Sequence, residues 1–313
     1  MEFMILSTLP HVKFERRGAL TRRAGHRRLE DVSRLMEEVL KEKYLALRGS
    51  LSGMGTVAVA FSGGVDSALL LAVCSQALGD NVLAVTASSS LYPAAFIERA
   101  SRICEMLRVE HVILETNELE DPAFVSNPPQ RCYLCKRELY GEISGIAAGR
   151  GIAWVVDGTQ ADDTTDYRPG MRAAEEFKVR SPLLEGGLTK EEIRILSREL
   201  GLETWDVPAG PCLASRVPYT EKITPEKLEA IEKGEEYLAW LGFQEVRLRY
   251  TGKRTARIEI DPRKIGRLVE EGLRQRIIGR MKELGFLYIT LDLEGYRMGA
   301  MNEVLPASER KTT

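Results

Sequence analysis

The sequence predicts an α/β protein, with an open parallel sheet followed by a smaller mixed α/β C-terminal domain. Over the first two thirds of the chain, short apolar runs alternate with longer segments of helical character, which is typical of a parallel sheet with helical crossovers. A glycine-rich turn, SGGVDS, follows the first of these apolar runs. After Pro208 the pattern changes, and two neighbouring strand-like runs flank the turn Thr251-Gly252.

The first domain is predicted to contain four strands and the helices between them. A helix over Met36–Arg48 carries leucines among charged residues and precedes a stretch broken by glycines. The run TVAVAF is short, apolar and β-branched, as expected for a strand buried on both faces. Strands are expected at Thr56–Phe61, Asn81–Thr86, Glu110–Leu114 and Ala153–Asp157, with helices at Ala68–Leu78, Ala94–Leu107 and Lys136–Ala148.

The second domain is predicted to mix helices and strands in a different order. Two strands surround the turn, and a third follows a long helical stretch. The helices are expected at Lys222–Leu241 and Pro262–Leu284, and the strands at Glu245–Tyr250, Ala256–Ile260 and Tyr288–Leu293.

Length and composition limit the class of protein. The 313 residues are enough for two domains, 44% are hydrophobic and 29% are charged, and no apolar run approaches the length of about 20 residues that a membrane-spanning helix needs. The first nine residues do not resemble a secretory leader, so we expect a cytoplasmic protein with reduced cysteines. The net charge of −2 argues against bulk nucleic-acid binding.

Three segments are predicted along the chain. Residues 1–34 form a basic extension whose composition cannot bury enough apolar surface to order itself. Residues 35–210 form the parallel-sheet domain, and residues 211–313 form the C-terminal domain.

The turn SGGVDS joins the first strand to the following helix, and this position favours an anion. Backbone amides of the turn and the free N–H groups of the helix converge there. The glycines Gly63 and Gly64 allow close approach, and the hydroxyls of Ser62 and Ser67 can donate to phosphate oxygens. Asp66 can cap the helix or help to hold a cation. The spacing matches neither the GK[ST] nor the G-x-G-x-x-G nucleotide loop.

The SGGVDS motif after a buried strand resembles that of the PP-loop ATP pyrophosphatases. This resemblance implies a sheet of the adenine nucleotide alpha hydrolase type, in which the loop wraps the phosphates of ATP. It also implies cleavage between the α- and β-phosphates and adenylation of a substrate oxygen. The residues expected to bind ATP are Ser62, Gly63, Gly64, Asp66, Ser67, Thr86 and Gly158.

Thr86 and Gly158 are included because they end the second and fourth strands, at the edge where ligands of open α/β sheets bind. The acidic loop 160–170 follows and supplies hard oxygen ligands suited to Mg²⁺. Asp66 and Asp162 are the candidate magnesium ligands, and Asp163 and Asp166 lie in the same loop.

Five cysteines separate into two groups. Cys74 and Cys104 fall in apolar helix patterns and are expected in the core. Cys132 and Cys135 form a C-x-x-C pair, and Cys212 stands far downstream. None of the three histidines has metal-ligand spacing relative to the pair, which argues against zinc. Three thiolates instead suit a 4Fe-4S cluster with one iron left open, although two surface thiols and an unrelated redox pair remain an alternative.

From about Met36 to Asn302 the chain resembles a family of ATP-dependent sulfur transferases that make the nickel-pincer nucleotide cofactor of lactate racemase. The matching stretches are SGGVDS, DGTQADDTTDYRPGMRAAEE, VRSPLLEGGLTKEEIR, PCLASR, VRLRY and DLEGYRMGAMN. The resemblance implies that carboxylates of pyridinium-3,5-biscarboxylic acid mononucleotide are adenylated by ATP and Mg²⁺ and then converted to thiocarboxylates. It also suggests a homo-oligomer, with the C-terminal domain serving substrate binding and oligomerisation.

The family has two variants, which differ in their cysteines. In one, a cysteine at the position of Cys212 gives up its own sulfur. In the other, three cysteines hold a 4Fe-4S cluster that carries an extra sulfide. Because Cys132, Cys135 and Cys212 are all present, the chain resembles the cluster variant. Sacrifice of Cys212 stays open if the cluster is lost, and the sequence does not identify the sulfide source.

Arginines near and within the C-terminal domain are candidate ligands of the substrate phosphate. Arg247 and Arg249 alternate on a predicted strand and therefore share a face, while Arg216 closely follows Cys212. A solvated basic strand face is the competing interpretation.

Three other functions compete with sulfur transfer to a mononucleotide. A transfer-RNA thiolase of the PP-loop class also uses three cysteines, but the charge balance and the lack of a recognisable RNA-binding module argue against it. An ammonia-using ligase would leave the three cysteines without a role. A non-enzymatic ATP-binding module remains open.

Overall fold

The computed structural model describes residues 22–165, 168–208, 210, 212–297 and 299–306, with side chains from residue 37 onward except that of residue 165. The helices are α1 Arg22–Ser52, α2 Val65–Leu78, α3 Ala94–Leu107, α4 Pro122–Val125, α5 Arg131–Gly149, α6 Gly170–Glu176, α7 Pro182–Glu185, α8 Lys190–Glu199, α9 Pro225–Trp240, α10 Ile265–Leu268 and α11 Glu271–Glu283. The strands are β1 Val57–Ala60, β2 Val82–Ser88, β3 Glu110–Glu115, β4 Trp154–Asp157, β5 Arg247–Thr251, β6 Thr255–Glu259 and β7 Tyr288–Leu291. Within these limits, no helix has the length and apolar character to cross a membrane.

The first sheet has the order β3-β2-β1-β4, and all of its pairings are parallel. Its central strand β1 is buried on both faces, with Val57, Ala58 and Val59 all fully inaccessible. One face packs against α1, α2, α3 and α8, and the other packs against α5 and α6. The predicted open parallel sheet is therefore confirmed, and its strands point their carboxyl ends to one edge.

The second sheet has the order β5-β6-β7, with an antiparallel pair β5/β6 and a parallel pair β6/β7. Its core combines Leu248 and Ile258 from the strands with Leu238 of α9 and Met281 of α11. Gly234 of α9 permits this packing, since a Cβ there would lie 2.2 Å from a methyl group of Leu248. The predicted smaller mixed α/β domain is confirmed.

Three helices differ from the sequence prediction. Helix α1 begins at Arg22 rather than Met36, so it includes the end of the segment expected as an extension, while residues 1–21 lie outside the described part. Helix α5 begins at Arg131 rather than Lys136. The single helix expected over Pro262–Leu284 is broken, because Glu270 adopts an extended backbone with ψ of 133° between α10 and α11.

Candidate active site

A cleft of about 270 Å³ opens at the carboxyl edge of the parallel sheet. It lies where β1, β2 and β4 end and where α2 begins, as expected for a ligand site in an open α/β fold. Five of the residues predicted from the sequence to bind ATP line it, namely Ser62, Asp66, Ser67, Thr86 and Gly158. The structure therefore brings together side chains from the glycine turn and from two further strand ends.

The glycine turn is held tightly against the start of α3. Gly63 has a φ of +68°, and a Cβ there would come within 3.3 Å of the Cβ of Ala100, so the position requires glycine. Its carbonyl accepts a hydrogen bond of 2.9 Å from Nε of Arg99. The hydroxyls of Ser62 and Ser67 lie 3.1 Å apart across the turn. No side chain caps the start of α2 at Gly64, so its first N–H groups are available to an anion.

Strand β4 approaches the same turn closely. A Cβ on Gly158 would lie 2.9 Å from the backbone nitrogen of Ser67, which explains why glycine occupies this position. The preceding Asp157 is buried and accepts hydrogen bonds from Tyr140 at 2.6 Å, Ser181 at 2.7 Å and Thr159 at 2.8 Å. Burial acts to raise the pKa of Asp157, but Lys136 and these hydroxyls hold it below its ordinary value. Asp157 is therefore a permanent negative charge beneath the cleft.

Lys190 meets Asp66 at the mouth of the cleft. Its ammonium nitrogen lies 2.6 and 2.8 Å from the two carboxylate oxygens of Asp66, and its backbone N–H donates to Asp162 at 2.8 Å. Burial raises the pKa of Asp66, and the charge of Lys190 opposes that rise. The sequence analysis did not select Lys190. A signal was present, because a cation in the first turn of a helix is disfavoured by the helix dipole unless an anion faces it.

Thr86 is fixed by a side chain from the neighbouring strand. Nε2 of His111 lies 2.8 Å from the Thr86 hydroxyl, and burial lowers the pKa of His111, which favours the neutral imidazole. Thr86 faces the cleft at the end of β2.

The structure brings the three predicted cysteines into one electrostatic neighbourhood. Burial raises the pKa of Cys135, and the charges of Glu118, Cys212 and Cys132 raise it further. Burial and Cys132 likewise raise the pKa of Cys212, whereas Arg131 and Arg216 lower it. These mutual effects require that thiols from α5 and from the distant Cys212 segment lie near each other.

The thiol pocket, which we define as Cys132, Cys135 and Cys212 with Tyr92 and Glu118, adjoins the cleft. Cys135 donates to a carboxylate oxygen of Glu118 at 3.6 Å, and its sulfur lies 3.9 Å from the hydroxyl of Tyr92. Tyr92 and Cys135 also line the cleft that contains Ser62 and Asp66. The turn and the thiols thus face one continuous space. Cys74 and Cys104 are buried in the core as predicted.

The donors present differ in chemistry between the two ends of this space. No described group of three or more histidine, cysteine or acidic side chains is arranged to hold a single metal ion. Three thiols are soft donors that suit iron and sulfide, and a 4Fe-4S cluster is much wider than one ion, so its ligands stand further apart. Asp66 and Asp162 are hard oxygen donors joined through Lys190. Asp166 lies outside the described residues.

The three candidate phosphate-binding arginines lie together, but two of them are engaged by glutamates. Arg216 donates to both oxygens of Glu235 at 2.9 Å. Arg249 pairs with both oxygens of Glu259 at 2.8 to 3.0 Å. Burial and the charge of Arg216 lower the pKa of Arg247, whose guanidinium lies 4.7 Å from the ring centroid of Tyr296. The sequence analysis missed the two glutamates, which orient these arginines and balance part of their charge.

Glu259→Gln is expected to destabilise the protein by about 3 kcal/mol. The carboxylate is 1% exposed and neutralises both Arg249 and Arg257, so removing its charge leaves two cations with poor solvation. Urea denaturation measures the free energy of unfolding. The control is Glu229→Gln, which removes an exposed i,i+4 pair with Lys233 and should cost less than about 0.5 kcal/mol. Equal losses in the two variants would contradict a buried charge network.

Comparison with known proteins supports the interpretation of this site. The family model described as NAD synthase matches residues 39–126, which contain the glycine turn. A protein of Synechocystis sp. carrying the name of an uncharacterized protein is 42% identical over 85% of this chain and 99% of its own length. A glutamine-hydrolyzing GMP synthase of Aeropyrum pernix is 29% identical over 65% of this chain and 41% of its own length.

A further relative comes from Lactiplantibacillus plantarum. It is named pyridinium-3,5-bisthiocarboxylic acid mononucleotide synthase, and it is 36% identical over 87% of this chain and 98% of its own length. A similarity of this extent covers far more of the chain than the glycine turn and its sheet. The chain belongs to the family of this pyridinium-3,5-bisthiocarboxylic acid mononucleotide synthase, on a PP-loop fold.

Proposed function

We propose that the chain is an ATP-dependent sulfurtransferase that converts pyridinium-3,5-biscarboxylic acid mononucleotide to its thiocarboxylate form, releasing AMP and pyrophosphate. The observation that carries this proposal is the continuous space between the glycine turn and the thiol pocket. An activated acyl group held at the turn would lie within reach of sulfur. The name and full-length similarity of the L. plantarum relative support the choice of substrate.

The glycine turn would perform the first half of the reaction. A carboxylate oxygen of the substrate attacks the α-phosphorus of ATP, an acyl–AMP bond forms, and pyrophosphate leaves with the bonding electrons. Amides of the turn, the hydroxyls of Ser62 and Ser67, and Mg²⁺ on Asp66 and Asp162 would balance the charge of the leaving group. Lys190 already lies at Asp66 and can move to the phosphates once the metal takes the carboxylate.

The thiol pocket would perform the second half. Cys132, Cys135 and Cys212 would hold a 4Fe-4S cluster, which supplies an iron without a protein ligand for chemistry with sulfur. Arg216, Arg247 and Arg249 would hold the phosphate of the mononucleotide, because they lie together near the Cys212 segment and guanidinium groups match phosphate geometry. The free state of all five cysteines fits a reducing cytoplasm, where we place the protein as a homo-oligomer.

The test is an anaerobic assay with ATP, Mg²⁺, sulfide and the mononucleotide. We expect AMP, pyrophosphate and thiocarboxylate to appear in equal amounts and only when the mononucleotide is present. Continued turnover with sulfide distinguishes cluster-dependent transfer from sacrifice of Cys212, which would stop after one sulfur per chain and leave the protein lighter by one sulfur in mass spectrometry. AMP formation with transfer RNA but not with the mononucleotide would overturn the proposal.

A further inference from the structure

Arg131 is a buried cation beside the thiol pocket that no carboxylate of the described residues neutralises. Its side chain is 4% exposed, and within that part of the chain it forms no ion pair with an acid. The buried arginines Arg216 and Arg249 differ, because each is paired with a glutamate. An uncompensated buried charge is costly unless an anion accompanies it. The surroundings of Arg131 are therefore suited to an anionic ligand.

The contacts of Arg131 fix the guanidinium without consuming it. One terminal nitrogen donates to Oδ1 of Asn127, and the guanidinium carbon lies 5.0 Å from the ring centroid of Tyr219. The Nε atom is buried and has no hydrogen-bond partner among the described residues. Asn127 is itself fully buried and donates to the carbonyls of Val217 and Pro218, which tie this corner to the Cys212 segment. One N–H donor and a positive charge thus remain for a ligand.

The position of Arg131 indicates what kind of anion it holds. Arg131 is the first residue of the 19-residue helix α5, whose N-terminus adds positive potential, and Cys132 follows it directly. Its charge acts on Cys212 from the other side. An anion at Nε would therefore lie among the sulfur atoms rather than at the glycine turn.

We propose that Arg131 binds the incoming sulfur as hydrosulfide and holds it beside the three cysteines until transfer. This inference rests on the proposed function and deepens it, since it identifies the sulfur donor as a small inorganic anion and assigns its protein ligand. Arg131 is a binding residue that acts through a permanent charge and one N–H group. Asn127 and Tyr219 are positioning residues, because they orient the guanidinium.

The kinetic test compares Arg131→Gln and Arg131→Lys with Arg137→Gln, a matched loss of an exposed arginine on the same helix. With sodium sulfide as donor, Arg131→Gln should raise the KM for sulfide about tenfold or more. The KM for ATP and the first turnover of pyrophosphate release should remain at wild-type values, which also shows that the variant is folded. Arg131→Lys should recover part of the loss, and Arg137→Gln should behave as wild type.

A second measurement needs neither the cluster nor turnover. In metal-free protein, iodoacetate and iodoacetamide attack the same thiolates, so the ratio of their alkylation rates reports the local charge and not the ionised fraction. Arg131→Gln should lower the iodoacetate-to-iodoacetamide ratio at Cys132 and Cys212 by about threefold to tenfold. Arg137→Gln should not lower it. Cys74 and Cys104 do not interfere, because burial raises the pKa of each to about 12.

The outcomes separate the inference from the proposed function. Wild-type protein that forms no thiocarboxylate from sulfide overturns the proposed function. Wild-type transfer together with an unchanged KM for sulfide in Arg131→Gln overturns the inference alone. A rise confined to the KM of the mononucleotide also overturns it, since Arg131 would then bind the substrate carboxylate.

Discussion

Asp66→Asn is expected to lower substrate-dependent pyrophosphate release by about 10²- to 10³-fold, which is the usual cost of removing one group that stabilises a transition-state charge. Asp66 lies in the first turn of α2 and faces the cleft, with both carboxylate oxygens held by Lys190. The amide keeps the shape of the side chain but cannot neutralise Mg²⁺. Release of pyrophosphate from ATP and the mononucleotide measures the effect directly.

The fold should survive this substitution. The side chain of Asp66 is 26% exposed, so its ion pair with Lys190 contributes about 1 kcal/mol or less to stability. The matched control is Asp80→Asn, an exposed aspartate just beyond the other end of α2, and it should release pyrophosphate at the wild-type rate. Undiminished release by Asp66→Asn would show that the glycine turn does not activate the substrate.

The parallel sheet was predictable because its information is local. Each strand is an apolar run of four to seven residues, and each is followed by a helix whose start the sequence marks. The glycine turn was also local, since its six residues must stand together to form one anion site. Helix α3 was predicted at Ala94–Leu107 without error.

The partners of charged residues were not predictable in the same way. Lys190 and Asp66 are separated by 124 positions in the chain, and Glu235 lies 19 positions from Arg216. No periodicity links such pairs, because tertiary packing alone selects them. The sequence analysis therefore identified the arginines as phosphate ligands and missed the glutamates that hold Arg216 and Arg249.

The start of α5 shows how tertiary structure overrides a local pattern. The segment RCYLC contains two cysteines and no conventional capping residue, and Gln130 precedes the helix without a side-chain cap. Its first turn is instead stabilised by packing of Arg131 against Asn127 and Tyr219. As a result Cys132 and Cys135 lie near the start of a helix, where the dipole favours thiolate over thiol.

Cys132→Ala, Cys135→Ala and Cys212→Ala should each lose most of the iron and the brown colour that reconstituted wild-type protein acquires. On the 4Fe-4S proposal the wild type should bind about four irons per chain. Losing one of three thiolates leaves too few ligands to retain the cluster, so the effect on thiocarboxylate formation should exceed about 10³-fold, as for residues that act as one unit. Anaerobic iron and acid-labile sulfide assays, with the visible absorption spectrum, measure the loss.

Two comparisons make this prediction specific. Cys104→Ala removes a thiol from the core of α3 and should keep its iron, with a stability loss of about 1 kcal/mol. Cys132→Ala and Cys212→Ala should still release pyrophosphate in a first turnover, because the glycine turn is intact and neither side chain lines the cleft. Iron retained in all three active-site variants would end the cluster proposal. Loss of iron only in Cys132→Ala and Cys135→Ala would leave Cys212 as a separate thiol, free to donate its own sulfur.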